Sequence, residues 1–353
     1  MKNYILHIGL PKTGTTTLQR YYFPKLQQPS ICYNPSSIID PLVQALKLLD
    51  FGALKEEDMK FLNNVVKWQS NKIPQKNILI SLEILSQRLL KFDFVERGRF
   101  LKSIFPNATI VLVLRYQPEL LRSLYQQHVH QNYFLMPEEV FIPFAKHVFP
   151  ETDHWKARMQ INVKEWDYKE TIKYFRHCYG KQFHVLFFEN HSKNILDMGR
   201  SILKFAGFHV DNGRLNSFLT KTNVSYDSTI MSMVLNITHR KLAFHSNTGF
   251  DSLHIQDLME QANQARFIFD SDSITNFLSR LEDQQHVSRS TCSKFDKQLL
   301  RIIKTYSKLR NNFKSQRYEL PEIIRSYLEQ ESKILNSSLN EVVDRQKIPK
   351  QYL

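Results

Sequence analysis

The chain has 353 residues, and this length allows either one large α/β domain with additions or two smaller domains. Its 48 Lys and Arg residues against 34 Asp and Glu residues give a net charge of +14, which favours an anionic partner but carries no information about the fold. The most apolar stretch, residues 108–114, is far shorter than the roughly 20 residues of a membrane-spanning helix, so the sequence predicts no transmembrane segment. The opening residues also lack the charged and apolar regions of a signal peptide, and we expect a cytoplasmic location.

The first predicted elements are a strand, a tight loop and a helix. Residues 4–9 form an apolar run that ends at Gly9, residues 10–14 contain Pro11 and Gly14, and residues 15–22 show helical spacing of apolar side chains. In this order of elements, backbone N–H groups and the helix dipole can bind a phosphate.

Strands and helices then alternate along the chain. Further strands are predicted at residues 77–81, 108–114 and 183–188, and helices at residues 37–70, 95–105, 118–132, 166–179 and 195–205. The alternation predicts an α/β fold with a mainly parallel central sheet flanked by helices. No strand pattern follows residue 226, and Pro321 begins the last long helix. We therefore expect an α/β core over residues 1–226 and a helical C-terminal extension over residues 227–353, packed on the core.

The loop Gly9-Leu-Pro-Lys-Thr-Gly14-Thr-Thr-Thr17 is the first candidate site. It is not a Walker A loop, because Lys12 precedes Gly14 instead of following it. The alternative is an ordinary strand-to-helix turn in which Thr15 caps the helix.

Within this loop, Pro11-Lys12-Thr13-Gly14-Thr15-Thr16 resembles the phosphosulfate-binding loop of the sulfotransferases that use 3'-phosphoadenosine 5'-phosphosulfate (PAPS). The resemblance implies a P-loop NTPase-like sulfotransferase fold of the bacterial or glycan-modifying type. It also implies that Lys12 stabilises the leaving 5'-phosphate and that the phosphate is held by the remaining loop residues: Thr13, Gly14, Thr15, Thr16 and Thr17.

A second candidate site follows the strand at residues 108–114, where Arg115 ends the strand and Ser123 lies in the next helix. A guanidinium group can donate two hydrogen bonds to one phosphate, and a hydroxyl adds a third donor. The alternative is a solvated arginine and an exposed helix serine. Arg115, Pro118 and Ser123 are spaced as in the 3'-phosphate signature of the same family, and the resemblance implies that Arg115 and Ser123 bind the 3'-phosphate of the nucleotide.

Glu83 is the candidate general base. It follows the strand at residues 77–81, and the carboxyl ends of parallel strands would bring it towards Lys12 and Arg115. It also resembles the strand-end glutamate of glycan and bacterial sulfotransferases, although a surface glutamate capping the next helix is the alternative. His128 and His130 are rival bases; their spacing places them on different faces of a helix, so at most one can point into a site.

A basic helix face is predicted near the end of the chain from Lys294, Lys297, Arg301, Lys304 and Lys308, which recur at steps of three and four. It is either a solvated surface or a contact with an anionic acceptor or lipid surface.

The family resemblance predicts transfer of a sulfuryl group from PAPS to a hydroxyl or amine of a glycan, glycolipid or small metabolite, with adenosine 3',5'-bisphosphate as the product. It predicts no metal and no nucleic-acid partner, and it allows the C-terminal extension to contribute to acceptor binding. Two alternatives stay open, a P-loop nucleotide-dependent kinase and a non-catalytic polyanion-binding protein. The kinase would need a Walker-type lysine and a magnesium-binding acid, and neither stands out in the sequence.

Overall fold

The structure is a computed structural model, and it describes residues 2–26, 31–50, 53–85, 94–130, 137–145, 160–205, 207–208 and 318–353. The chain divides into two compact units: residues 1–121, 149–223 and 325–353 form the first, and residues 122–148 and 224–324 form the second. The predicted basic face at residues 294–308 lies outside the described residues. The proposed boundary at residue 226 also lies outside them and stays a prediction.

A five-stranded sheet with only parallel pairings is the centre of the first unit. Its strands are β1 (Asn3–Gly9), β2 (Ile31–Tyr33), β3 (Asn77–Ser81), β4 (Thr109–Leu114) and, after the short strands β5 (Phe141–Ile142) and β6 (Ile161–Asn162), β7 (Phe183–Phe187). The order across the sheet is β2-β3-β1-β4-β7. Every residue of β3 is buried, as expected for a strand covered by helices on both faces. The prediction of a mainly parallel α/β fold flanked by helices is confirmed.

The register of the central strands brings their carboxyl ends to one edge of the sheet. His7 lies opposite Ser81 of β3, and Gly9 lies opposite Val113 of β4. The loop that leaves Gly9 therefore starts between the ends of the two neighbouring strands, which is where ligands bind in open parallel sheets.

Helices flank the sheet over much of the predicted ranges. The helices are α1 (Thr15–Thr17), α2 (Ser36–Asp50), α3 (Glu56–Lys72), α4 (Phe94–Ile104), α5 (Gln117–His130), α6 (Pro137–Val140), α7 (Tyr168–Tyr179), α8 (Ile195–Phe205) and α9 (Glu322–Asn336). The α1 helix continues directly as a π-helical segment, Leu18–Tyr22. No helix among the described residues is long and apolar enough to cross a membrane.

The range predicted as helical, residues 37–70, holds two helices. The α2 helix ends at Asp50 and α3 begins at Glu56. Asp58 accepts a hydrogen bond from the backbone N–H of Lys55 at 2.9 Å, and the first turn of α3 carries three acidic residues. Acidic side chains at a helix N-terminus stabilise a new start there.

The last described segment adds a polar contact to the first unit. The side-chain amides of Gln117, at the start of α5, and Asn336, at the end of α9, donate to each other's oxygens at 3.0 and 2.9 Å. Both residues are buried, so each polar group is satisfied by the other.

The described part of the second unit is organised around Arg122 and Tyr125 of α5. The guanidinium of Arg122 donates to the carbonyl of Tyr318 at 2.7 Å and lies 3.9 Å from the carboxylate of Glu319. Burial lowers the pKa of Arg122, and Glu319 opposes this shift. The ring of Tyr125 packs on Phe141 and Tyr318, with centroids 5.9 and 6.2 Å apart.

Candidate functional site

The loop after β1 has a backbone shape that depends on two left-handed residues. Lys12 has φ of 63° and Gly14 has φ of 74°. A Cβ atom on Gly14 would overlap the end of the Ile195 side chain, and one on Gly9 would overlap the Thr15 methyl group. Both glycines are therefore required by close packing, and Gly14 by its φ as well. The result is a tight turn that leads straight from the sheet into a helix.

The threonines of the loop fall into two groups. Thr13 and Thr15 are buried and their hydroxyls bind within the protein: Thr13 donates to the carbonyl of Leu10 at 2.6 Å, and Thr15 donates to the carboxylate of Glu83. Thr16 and Thr17 are partly exposed. The hydroxyls of Thr13 and Thr15 thus stabilise the loop itself. The first hydrogen bond of the helix runs from the Thr17 amide to the Gly14 carbonyl at 3.1 Å, so the backbone amides before Thr17 make no helical hydrogen bond.

Lys12, Glu83 and Arg115 meet at the carboxyl edge of the sheet. Glu83 begins a 3-10 turn just after β3 and reaches the loop through Thr15. Arg115 follows β4, and its guanidinium donates to the backbone carbonyl of Lys12 at 2.5 Å. The segments that follow three adjacent strands of the sheet, β3, β1 and β4, therefore bring one anionic and two cationic side chains together at the loop.

The electrostatic environment of Lys12 reflects these neighbours. Its pKa is lowered, chiefly because burial penalises the charged amine. The Glu83 carboxylate raises the pKa and the Arg115 guanidinium lowers it further. An anion bound beside the amine would favour its charged form and oppose this shift of the pKa.

Arg115 is fixed on several sides. Its guanidinium lies 5.1 Å from the ring centroid of Phe188 and 3.8 Å from the carboxylate of Glu119. Its backbone carbonyl accepts a hydrogen bond from the hydroxyl of Tyr168 at 2.6 Å. The arginine is thus held beside the loop, instead of extending into solvent as a free strand-end residue would.

The other predicted residues lie on α5. Ser123 and His128 are buried, whereas the side chain of His130 lies outside the described residues. Arg115 belongs to the first unit and Ser123 to the second. A shared role in binding a 3'-phosphate stays a prediction, and so does the choice of Glu83 over the histidines.

A buried polar network beneath the loop was not predicted from the sequence. Ser81, the last residue of β3, bonds through its hydroxyl to Nδ1 of His7 at 2.7 Å and accepts from the Gln19 amide at 3.2 Å. The side chain of Asn34 accepts from the Ser81 amide at 2.8 Å and donates to its carbonyl at 3.2 Å. The network fixes the backbone two residues before Glu83. Its trace in the sequence is one polar side chain near the carboxyl end of each of two predicted strands, His7 in residues 4–9 and Ser81 in residues 77–81.

Glu189 is a second residue that sequence reasoning missed. It lies in the turn after β7, and one carboxylate oxygen accepts from the amide of Tyr116 at 2.8 Å. The other oxygen accepts from the hydroxyl of Tyr352 at 3.0 Å. An acidic residue after the fourth predicted strand was its only signal. No group of three or more metal-binding side chains occurs within the described ranges.

Comparison with known proteins gives structural neighbours only. No protein-family model and no curated protein matches the chain in sequence. A sulfotransferase from Alicyclobacillus acidocaldarius aligns with 69% of this chain and 93% of its own, at a TM-score of 0.39 and 14% identity. Mouse sulfotransferase SULT7A1, solved in complex with PAP, aligns with 67% of this chain and 64% of its own, less than two thirds, at a TM-score of 0.30 and 14% identity. Both neighbours are sulfotransferases, and at this identity the likeness concerns the fold alone.

Proposed function

We propose that the protein is a PAPS-dependent sulfotransferase that transfers a sulfuryl group to a hydroxyl or amine of a glycan, glycolipid or small metabolite. The observation that carries the proposal is the meeting of Lys12, Glu83 and Arg115 around a tight, glycine-containing loop at the carboxyl edge of a parallel sheet. The loop sequence resembles the phosphosulfate-binding loop of that family.

The residues present have the chemistry that such a donor requires. Backbone amides of residues 14–16 and the hydroxyls of Thr16 and Thr17 suit the 5'-phosphate, because the first turn of a helix has amide groups without helical partners. Arg115 suits the 3'-phosphate, since a guanidinium fork matches phosphate oxygens, and the family resemblance alone adds Ser123 as a further donor. The donor supplies the sulfuryl group itself.

Two side chains have roles in the transfer. With the donor bound, the bond between sulfur and the bridging oxygen would break as sulfur bonds to the acceptor oxygen or nitrogen, and Glu83 would take the acceptor proton. Lys12 stabilises the negative charge that develops on the 5'-phosphate. Thr15 orients Glu83 through the hydrogen bond between them.

A P-loop kinase is the less favoured alternative. Kinases of that class hold the β- and γ-phosphates with a lysine that follows the loop glycine, and they bind Mg²⁺ through an acidic residue. In this chain Lys12 precedes Gly14 with a left-handed backbone, and Thr15 and Thr16 follow that glycine.

A non-catalytic polyanion-binding protein would use the net charge of +14, but it would need neither a buried Thr15 hydroxyl nor a carboxylate beside Lys12.

Calorimetric titration of the full chain with adenosine 3',5'-bisphosphate, 5'-AMP and ATP with Mg²⁺ tests the proposal without knowledge of the acceptor. We expect the bisphosphate to bind at least about tenfold more tightly than 5'-AMP, a difference of about 1.4 kcal/mol. Preference for ATP with Mg²⁺ would favour the kinase. Equal, weak and salt-sensitive binding of all three would favour the polyanion-binding protein.

A further inference from the structure

One peptide group beyond the end of β4 is held by two side chains from distant parts of the chain. The pairing of β4 with β7 ends at Leu114, and the peptide group that joins Arg115 to Tyr116 lies just beyond this end. Its carbonyl accepts from the hydroxyl of Tyr168 at 2.6 Å, and its N–H donates to the carboxylate of Glu189 at 2.8 Å. Side chains thus satisfy both polar atoms of a peptide that no longer has a neighbouring strand.

Tyr352 contacts both of these side chains. Its hydroxyl donates to the second carboxylate oxygen of Glu189 at 3.0 Å. Its ring lies 6.5 Å from that of Tyr168 and 5.4 Å from that of Tyr116, measured between centroids. The side chain is only 1% exposed. We call Tyr168, Glu189 and Tyr352 the peptide clamp.

The segment that carries Tyr352 is itself attached next to Glu189. Asn190 donates through its side-chain amide to the carbonyl of Lys347 at 3.0 Å. The amide of Tyr352 donates to the carbonyl of Pro349 at 3.0 Å and closes a 3-10 turn, Lys350–Tyr352. These backbone contacts hold the segment independently of the Tyr352 hydroxyl. A variant that lacks only this hydroxyl should therefore keep the segment in place.

Both tyrosines of the clamp keep their protons at neutral pH. Burial raises the pKa of Tyr168 and of Tyr352 well above the ordinary value, and the charge of Glu189 raises both further. Each hydroxyl is thus a permanent donor, one to the Arg115 carbonyl and one to Glu189.

We propose that Tyr168, Glu189 and Tyr352 are positioning residues for Arg115, and that they set the affinity of the site for the 3'-phosphate of the nucleotide. This inference rests on the proposed function. The far end of the Arg115 side chain is held between the Lys12 carbonyl and the Phe188 ring. The peptide that joins Arg115 to Tyr116 begins at the Cα atom of Arg115, so the clamp that holds this peptide also fixes the point where the side chain starts. A group that binds a ligand needs supporting contacts to keep it within a fraction of an ångström of its place.

The test compares Tyr352→Phe and Tyr168→Phe with wild type in the full chain. Each variant keeps its ring and loses one hydroxyl of the clamp. Tyr179→Phe is the matched control, since Tyr179 is also a buried tyrosine and its hydroxyl has no hydrogen-bond partner within the described part of the chain. For each protein the dissociation constants of adenosine 3',5'-bisphosphate and 5'-AMP are measured by calorimetry, and thermal melting checks that the chain is folded.

We expect the Kd of the bisphosphate to rise at least about fivefold in both clamp variants, which corresponds to about 1 kcal/mol. The Kd of 5'-AMP should change less than about twofold, and Tyr179→Phe should leave both values unchanged. Parallel weakening of both ligands would mean that the clamp only stabilises the fold and would overturn the inference. A wild-type protein that does not distinguish the two ligands would instead overturn the proposed function, and the inference with it.

Discussion

The hydroxyl of Thr15 donates a hydrogen bond to the carboxylate of Glu83, although the two residues lie on different strand-loop units. Thr15 is buried at the start of α1, so its hydroxyl has a fixed direction. The contact attaches the turn after β3 to the loop after β1. The residue proposed to remove a proton and the loop proposed to bind a phosphate are therefore joined by a direct hydrogen bond.

This contact leads to a prediction for Glu83→Gln. Glutamine keeps an oxygen that can accept from Thr15, so the loop should keep its shape and nucleotide should bind within about threefold of wild type. It cannot accept a proton, and a lost general base reduces turnover by roughly 100-fold or more. The release of adenosine 3',5'-bisphosphate from the donor, with an acceptor found by screening, measures turnover, and calorimetry measures binding.

Glu57→Gln is the control for that experiment, because Glu57 is an exposed carboxylate in the first turn of α3. It should leave both turnover and binding unchanged. If Glu83→Gln retained the wild-type rate, another group such as His128 would have to be the base.

A second prediction concerns Gly14→Ala. Alanine at a φ of 74° costs about 1–2 kcal/mol, and its Cβ would overlap Cδ1 of Ile195 and approach Cγ1 to 3.0 Å, which adds about 1–3 kcal/mol. The free energy of unfolding should fall by this sum in a denaturant titration. Nucleotide binding should weaken as well, because the loop must shift to relieve the overlap.

Two companion variants separate the backbone cost from the packing cost. Gly207 also has a positive φ, of 79°, and ends α8 with the hydrogen bonds of a left-handed cap, but a Cβ there would meet nothing within 4 Å, so Gly207→Ala should show the backbone cost alone. Adding Ile195→Val to Gly14→Ala deletes Cδ1, the overlapping atom, and should restore part of the stability. Equal losses for Gly14→Ala and Gly207→Ala would show that the loop accommodates the methyl group without a packing cost.

Much of the fold was predictable because its signals are local. Apolar runs such as residues 77–81 gave strands close to their observed bounds, and alternation with helices gave the parallel sheet. The meeting of Lys12, Glu83 and Arg115 followed from one rule, that parallel strands end at a common edge. The short strand β2 (Ile31–Tyr33) was not predicted, because three residues carry no distinguishable periodicity.

The supporting contacts of the site were not predictable, because they join residues far apart in sequence. Tyr352 and Glu189 are 163 positions apart, and Gln117 and Asn336 are 219 positions apart. Neither pair follows a repeating spacing. In the sequence Ser81 is an ordinary strand residue, and only the tertiary structure shows that it bonds to His7 and Gln19. Such contacts depend on tertiary packing, about which local sequence patterns carry no information.

A third prediction concerns His7 and the stability of the folded protein at acidic pH. Complete burial lowers the pKa of His7 from 6.5 to about 3 in the folded state. Between about pH 6.5 and about pH 3, His7 therefore carries a proton in the unfolded chain but not in the folded chain. The free energy of unfolding should decrease as the pH falls through this range. The slope from this one residue approaches about 1.4 kcal/mol per pH unit.

His7→Asn tests this assignment, because asparagine does not titrate and places a polar atom near the position of Nδ1 beside Ser81. Denaturant titrations at pH values between about 4 and about 7 should show a shallower loss of stability in the variant than in wild type. His184 and His191 also have lowered pKa values, so they leave a residual slope in both proteins. Identical slopes would show that His7 does not contribute.

The fourth prediction concerns the charge of Lys12 and the affinity for nucleotide at alkaline pH. Burial, and secondarily Arg115, lowers the pKa of the Lys12 amine, while Glu83 partly opposes the shift. In the free protein the amine therefore loses its proton at a lower pH than an ordinary lysine does. Since a bound anion favours the charged amine, the Kd for adenosine 3',5'-bisphosphate should increase as the pH rises from neutral to about 10.

Lys12→Arg and Lys12→Met give opposite controls for this titration. The guanidinium stays charged throughout the range, so Lys12→Arg should bind with little dependence on alkaline pH. Lys12→Met carries no charge at any pH, so it should bind weakly and equally weakly across the range. Calorimetry in two buffers of different ionisation enthalpy measures the protons taken up on binding, and uptake should be present in wild type and absent in both variants. The same uptake in all three proteins would assign the alkaline loss of affinity to another group, and Lys12 would then bind phosphate without titrating.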